Sequence, residues 1–319
     1  MEHIVLTNGL KKSFKAQGKI VEAVRGVDLA VRTGEVFGFL GPNGAGKTTT
    51  LRMLTTLLTP DAGEATLAGC DLLKHPQRLR ERIGYVSQAG GSDRGMSAWE
   101  NLVLQGRLFG MNRHNAAAQA KALILAFDLE AIADRKAATY SGGQRRRLDV
   151  ALGMMHRPQL LFLDEPTTGL DPQNRARLWE EVRRLRDSGV TIFLTTHYLD
   201  EADALADRIA IMDQGKIEAE GSPRELKKQI AGDVVLLGLS ADGAHNEKAL
   251  QLFTDQPYVR EASYEQGQLR LYVHEGEATL PDILRLLDHA QIGLKTISLS
   301  QPTLDDVFLR QTGRSLQEA

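Results

Sequence analysis

Cysteine is almost absent from this sequence. Cys70 stands alone among 319 residues, so no intramolecular disulfide can form and nothing points to an oxidising compartment. A single thiol of this kind reads as a small packing residue. An excess of one charge is missing too: 39 Lys and Arg face 41 Asp and Glu, for a formal net charge of -2. That balance argues against a general nucleic-acid binder, which needs basic residues to displace counterions from phosphates. Long apolar runs are also lacking. Leu160-Leu161-Phe162-Leu163 stops after a few residues, well short of the roughly 18 that a membrane-spanning helix needs. The start, Met1-Glu2-His3-Ile4-Val5, has neither the basic opening nor the apolar stretch of a secretory signal. The expectation is a cytoplasmic protein, which could act at a membrane only through another chain that spans it.

What is present is the texture of a large α/β domain followed by a smaller one. From position 24 to about 221, short apolar runs alternate with amphipathic stretches, as in a parallel sheet covered by helices. Val36-Phe37-Gly38-Phe39-Leu40 predicts a buried strand, with a helix over 47–58 behind it. Further strands are predicted at 160–163 and 190–195. Between those two, Asp171-Pro172 marks a helix start, Leu178, Val182 and Leu185 share one face, and Gly189 is the stop. Residues 97–136, rich in Ala, Leu and Gln, predict a helical insertion. After Gly221-Ser222-Pro223 the order becomes strand (233–237), helix (Ala249, Leu250, Phe253), hairpin (258–264 with 269–273 around Gln266-Gly267), helix (Leu280, Ile283, Leu284, Leu287) and strand (294–299). This βαββαβ order is that of a ferredoxin-like unit. Thr303 and Asp306 have capping-box spacing for a last helix, with Asp where Glu or Gln is usual.

Four features carry chemistry. Gly41-Pro42-Asn43-Gly44-Ala45-Gly46-Lys47-Thr48 satisfies G-x-x-x-x-G-K-[ST]. In that pattern backbone amides curl around phosphate oxygens, the lysine neutralises the outer phosphates and the hydroxyl reaches Mg²⁺. Asp164 and Glu165 end a buried strand at the edge where open α/β sheets bind ligands. Asp164 reads as a group that binds Mg²⁺ directly or through one of its waters, and Glu165 as the group that polarises the attacking water. His197 follows the strand over 190–196 and points to the same crevice as a donor to the γ-phosphate; His75, His114 and His156 read as surface or packing residues. Tyr140-Ser141-Gly142-Gly143-Gln144 opens a helix, and a Ser-Gly-Gly helix start is an anion site. Lying about 100 residues from the phosphate loop, it either binds a second phosphate or completes a site on another copy of the protein. Arg145-Arg146-Arg147 reads as a solvated or salt-bridged face.

Taken together, these motifs resemble those of ABC-transporter ATP-binding subunits. The 41–48 loop resembles Walker A, Gln88 in Ile83-Gly84-Tyr85-Val86-Ser87-Gln88 the Q-loop, and Ser141 to Gln144 the LSGGQ segment. Asp164 and Glu165 resemble Walker B, Gly169-Leu170-Asp171 the D-loop, and His197 the switch histidine. The resemblance implies a P-loop NTPase cassette over 1–222, with a helical subdomain at about 97–155 and an accessory domain over 223–319. It implies ATP and Mg²⁺ as ligands, with Thr49 beside the loop and Phe14 against adenine, where tyrosine is commoner. Gln88 would touch Mg²⁺ or the attacking water, and the stretch from about 89 to 105 would receive a coupling helix from the permease. It further implies a head-to-tail homodimer in which Ser141, Gly142, Gly143, Gln144 and Asp171 of one copy face the ATP of the other. The C-terminal Gln301-Pro302-Thr303-Leu304-Asp305-Asp306-Val307-Phe308-Leu309, with Thr312-Gly313-Arg314, resembles the daunorubicin-resistance type, although Gln144 stands where many of those subunits carry methionine. The function this implies is ATP hydrolysis at the cytoplasmic face of a membrane, powering export of drugs, lipids or similar amphipathic molecules through a separate permease. An importer subunit, or a soluble ATPase of the same type acting on ribosomes or DNA, is the alternative. The sustained heptads and second cassette usual in the soluble type are absent.

Overall fold

The computed structural model describes residues 2–16, 18–230, 233–239, 243–265, 267–300 and 302–313. Contacts divide the chain into two compact units between Pro223 and Arg224. In the first, β3 (Val36–Leu40), β7 (Leu160–Asp164) and β8 (Thr191–Thr196) are buried along their whole length, as strands covered on both faces must be. The parallel strands β6 (Ile83–Val86) and β9 (Arg208–Asp213) and the antiparallel edge strand β10 (Lys216–Gly221) complete a six-stranded sheet in the order β10-β9-β3-β8-β7-β6. Its register sets Leu40 beside Thr196 and Asp164 beside Thr195, so the carboxyl ends of β3, β7 and β8 finish level.

A second, antiparallel sheet, ordered β2-β1-β4-β5, contains β1 (His3–Ala16), β2 (Lys19–Arg32), β4 (Ala62–Leu67) and β5 (Cys70–Asp71). The β1–β2 pair is not among the predicted elements. Its register shifts between Thr7 and Leu10 and again between Lys12 and Ser13, and each shift changes the phase of the apolar residues, erasing the simple alternation. One core joins both sheets. Phe193 contacts Phe37, Phe39 and Phe162 at ring separations of 5.4, 5.6 and 5.3 Å, and Val5, Val27, Leu51 and the buried Cys70 belong to the same cluster.

Helix α1 (Lys47–Leu54) is shorter than the predicted 47–58. The Thr55 hydroxyl donates back to the Leu51 carbonyl at 2.9 Å, and Thr56, at φ 63°, leaves the helical region. After the short α2 (Pro76–Arg80), α3 (Ala98–Leu108) and α4 (Arg113–Ala126) form the predicted helical insertion. Ser97 and Glu100 cap α3 reciprocally. Together with α5 (Gly142–Gly153), these helices share a second core that includes Leu102, Ala120, Leu123, Phe127 and Leu148. His156 is a packing residue, stacked 3.8 Å from Phe109 and bonded to the Ile83 carbonyl at 2.8 Å. Helices α6 (Pro172–Asp187) and α7 (Leu199–Leu205) connect β7, β8 and β9.

Helix α8 (Pro223–Gln229) spans the junction. The second unit runs β11 (Asp233–Leu239), α9 (Gly243–Thr254), β12 (Val259–Glu265), β13 (Gln268–Val273), α10 (Gly276–His289), β14 (Leu294–Ser300) and α11 (Leu304–Thr312). Its antiparallel sheet has the order β12-β13-β11-β14, so β11 and β12 run the same way with β13 between them. Val235, Leu237, Phe253, Leu271, Ile283 and Leu287 form its core. At α11, the Asp306 amide donates to the Thr303 hydroxyl at 3.3 Å and the Thr303 amide donates to the Asp306 carboxylate at 2.7 Å; aspartate closes the capping box as the longer acids do. Gln266, Gln301 and Arg314 lie outside the described residues. Among the described residues no helix is long and apolar enough to cross a membrane.

Candidate active site

The loop after β3 packs against its surroundings so closely that a side chain at Gly46, which adopts φ 109°, would collide with the Ala23 carbonyl. Gly41 and Pro42 are buried at the base of the loop, Asn43 and Gly44 are exposed at its tip, and Ala45 is buried again. Thr48 and Thr49 are half-buried in the first turn of α1. Lys47 is 4% exposed, and its Nζ donates to the carbonyls of Gly41 at 2.6 Å and Pro42 at 2.9 Å. Burial lowers its pKa, while Glu165 and Asp164 pull it back up.

The level ends of β7 and β8 bring the acids to this loop. Asp164 Oδ1 accepts from the Thr195 hydroxyl at 2.7 Å and the Thr48 hydroxyl at 3.3 Å. Glu165 sits at φ 44°, a left-handed conformation that costs a non-glycine residue about 1–3 kcal/mol. Its backbone amide is held at 3.1 Å by both the carbonyl and the hydroxyl of Thr195. Its carboxylate is surrounded: Oε2 accepts from Gln88 Nε2 at 3.0 Å and the Thr168 hydroxyl at 3.3 Å, and Oε1 lies 3.2 Å from His197 Nδ1 and 3.8 Å from Lys47 Nζ. Lys47, Gln88, Asp164, Glu165 and His197 thus converge from four segments.

The residues suit a nucleotide phosphate and its cation. A buried ammonium hydrogen-bonded to two backbone carbonyls beside a helix N-terminus is ready to exchange them for phosphate oxygens. The Thr48 hydroxyl beside Asp164 is a hard oxygen pair of the kind Mg²⁺ accepts while keeping water and phosphate in its other positions. Among the described residues no group of three or more His, Cys, Asp or Glu could hold a metal ion.

The glycine-rich helix start forms a separate group. The Ser141 hydroxyl accepts from the Gln144 amide at 3.2 Å while Gln144 Oε1 accepts from the Ser141 amide at 2.9 Å, capping α5. Asp171 caps α6, accepting from the Asn174 amide at 2.9 Å and Asn174 Nδ2 at 2.5 Å. These bonds, led by that from the Asn174 amide, hold its carboxyl below the usual range. The Gly142 and Gly143 turn packs on this second helix start, and a side chain at Gly143 would strike Asn174. The side-chain hydrogen bonds of Ser141 and Gln144 close on each other's backbone amides. Phe14, on β1, is 41% exposed, and Lys12 Nζ lies 5.9 Å from its ring centre.

Within the arginine run, Arg147 pairs with Asp128 at 3.7 Å, as a salt-bridged face would, whereas Arg146 departs from the solvated or salt-bridged expectation. Arg146 is 7% exposed and donates to three backbone carbonyls: Nε to Pro166 at 2.7 Å, Nη1 to Ser87 at 2.7 Å and Nη2 to Asp164 at 3.0 Å. A signal was available in the helical spacing, since Gly143, Arg146, Val150 and Gly153 fall on one buried face of α5.

Residues 24–168 match the family described as ABC transporter, and residues 221–312 match the one described as ATP-binding protein DrrA1-3-like, C-terminal domain. The chain is 43% identical to the daunorubicin/doxorubicin resistance ATP-binding protein DrrA of Streptomyces peucetius, over 98% of its own length and 95% of that protein's. It is 38% identical to the Nod factor export ATP-binding protein I of Rhizobium sp. (strain N33), over 97% of each chain. Linearmycin resistance ATP-binding protein LnrL of Bacillus subtilis is 34% identical over 95% of this chain and 97% of its own. Among solved structures, the dimeric bacterial ABC transporter cassette MJ0796 is similar at a TM-score of 0.63 and 25% identity, covering 68% of this chain and 98% of that one. Its dimeric post-hydrolysis state bound to ADP and Pi gives the same values. The chain therefore belongs to the ATP-binding subunits of ABC transporters, of the daunorubicin-resistance type, and carries their α/β P-loop NTPase cassette.

Proposed function

We propose that this protein binds and hydrolyses ATP to power export of drugs, lipids or similar amphipathic molecules through a separate permease, working at the cytoplasmic face of the membrane. The observation that carries the reading is the carboxylate of Glu165, gripped by Gln88 and Thr168 on one oxygen and facing Lys47 and His197 with the other. Glu165 is the base: Oε1 accepts the proton of the water that attacks the γ-phosphorus. His197 donates to the γ-phosphate, and Gln88 holds the carboxylate and the water in line. Lys47 and the amides of residues 41–48 bind the phosphates, with Thr49 beside them and Phe14 against the adenine. Thr48, Asp164 and Gln88 would hold Mg²⁺, which would supply charge neutralisation for the phosphates when bound.

The site is half of a pair. Ser141, Gly142, Gly143, Gln144 and Asp171 cluster at two adjoining helix starts apart from the phosphate loop, which supports a head-to-tail homodimer in which they close over the second copy's ATP. Relatives named for resistance and for export support export over import. We read the C-terminal unit, with its β12-β13-β11-β14 order, as a ferredoxin-like accessory domain.

The test is Glu165→Gln. ATP binding is retained, turnover falls by about 10²–10⁴-fold, the usual worth of a general base, and ATP shifts the variant to a stable dimer in size-exclusion chromatography. Turnover equal to that of the parent would remove Glu165 as the base.

A further inference from the structure

Arg146 has no part in the site as described, yet it is the most fully engaged cation in its vicinity. Its three acceptors belong to two segments that carry hydrolytic groups: Ser87 precedes Gln88, and Asp164 and Pro166 flank Glu165. One planar guanidinium thus grips the backbone on both sides of Glu165 and immediately before Gln88, the two residues whose side chains meet at 3.0 Å. Three residues along α5, Asp149 accepts from the amides of Gly91 at 3.0 Å and Ser92 at 2.9 Å. The loop bearing Gln88 is therefore held at both ends by one face of one helix. Glu165, at φ 44°, needs its conformation imposed by neighbours. A guanidinium can do this because its donors are fixed in a plane, whereas a lysine ammonium is a point charge on a flexible stem.

We infer that Arg146 is a positioning residue for ATP hydrolysis, setting the geometry of Gln88 and Glu165 from behind without touching the nucleotide. The inference rests on the reading of Glu165 as the base. Because Ser141 caps the start of α5, the same grip joins the segment proposed to face the partner's ATP to the hydrolytic groups of its own copy.

The test is a double-mutant cycle of Arg146→Lys with Glu165→Gln in the full chain, using steady-state and single-turnover hydrolysis of radiolabelled ATP. Arg146→Lys alone should lower kcat by roughly 10- to 100-fold and leave KM for ATP within about twofold, the split expected when only transition-state geometry is lost. In the Glu165→Gln background the same substitution should have almost no further effect, because the group it positions is gone. An undiminished fall in that background, an unchanged kcat in the single variant, or a raised KM with kcat intact would overturn the inference. Parent-like turnover of Glu165→Gln alone would instead sink the underlying reading. If Arg146→Lys does not fold, Asp149→Asn takes its place, paired with Gln88→Ala. A fall of roughly threefold that vanishes in the Gln88→Ala background supports the positioning role, and one that persists there overturns it.

Discussion

At the scale of single residues, the site is a contest over where charge can be buried. Glu201 illustrates it outside the cluster around Glu165. It is fully buried on α7, four residues beyond His197, and accepts from Trp179 Nε1 at 3.3 Å. Burial raises its pKa, against the pull of Thr196, Thr167, Trp179 and Arg175. The folded state therefore holds the proton more tightly than the unfolded chain. The stability this contributes is complete below the ordinary value of 4.5 and is lost as pH rises through the raised folded value. Glu201→Gln keeps the shape and removes the ionisation. It should melt higher than the parent at pH 7 to 8, by about 2–4 °C for each kcal/mol relieved, and with little difference near pH 4; calorimetry across that range checks both ends. A parent that gained stability with rising pH relative to the variant would contradict this sign. That Lys47, Asp164, Glu165 and His197 come together was legible in the sequence because each stands at a glycine-rich turn or at the end of an apolar strand. Arg146 was legible only through the face it shares with Gly143, Val150 and Gly153, against the arginines beside it, and Glu201 stands among acidic neighbours that give it the look of solvated helix.

Among elements, the glycine-rich helix start and the start of α6 are mechanically joined. Gly143 faces Asn174, whose amides are both bound by the capping Asp171. Gly143→Ala should push Asn174 away and loosen that cap, costing about 1–3 kcal/mol as overpacking does. ATPase activity should fall roughly 10-fold as the two helix starts lose their shared geometry, with nucleotide binding to the separate subunit preserved. Adding Asn174→Ala removes the obstacle and should recover the melting temperature, a rescue that differential scanning fluorimetry reads directly. Failure of the second substitution to restore stability would show that the collision is not the cause. The elements themselves were legible in proportion to their burial. Strands β3, β7 and β8 announce themselves because both faces are covered, whereas β1 and β2, bulged and partly exposed, carry no regular period. The sequence pattern carries α1 too far because Leu57 and Leu58 continue an apolar helical spacing after Thr55 and Thr56 have already turned the backbone away.

For the molecule as a whole, the proposed pairing of two copies makes a geometric demand. Asn43 at the tip of the phosphate loop and Ser141 at the start of α5 are both exposed within one chain, and they should face each other only across a head-to-tail interface. In the Glu165→Gln background with ATP, a mixture of Asn43→Cys and Ser141→Cys chains should cross-link with a short bifunctional maleimide, and neither variant alone should do so. Equal cross-linking of the single variants would favour a different arrangement. The clarity of that experiment traces back to Cys70, the sole thiol in the sequence and 4% exposed in the core between the two sheets. Sequestered there, it offers alkylating reagents no purchase. These 319 residues are therefore already a quiet background for spectroscopic labels, and a fluorophore or spin probe placed on an added surface cysteine will report from that one position.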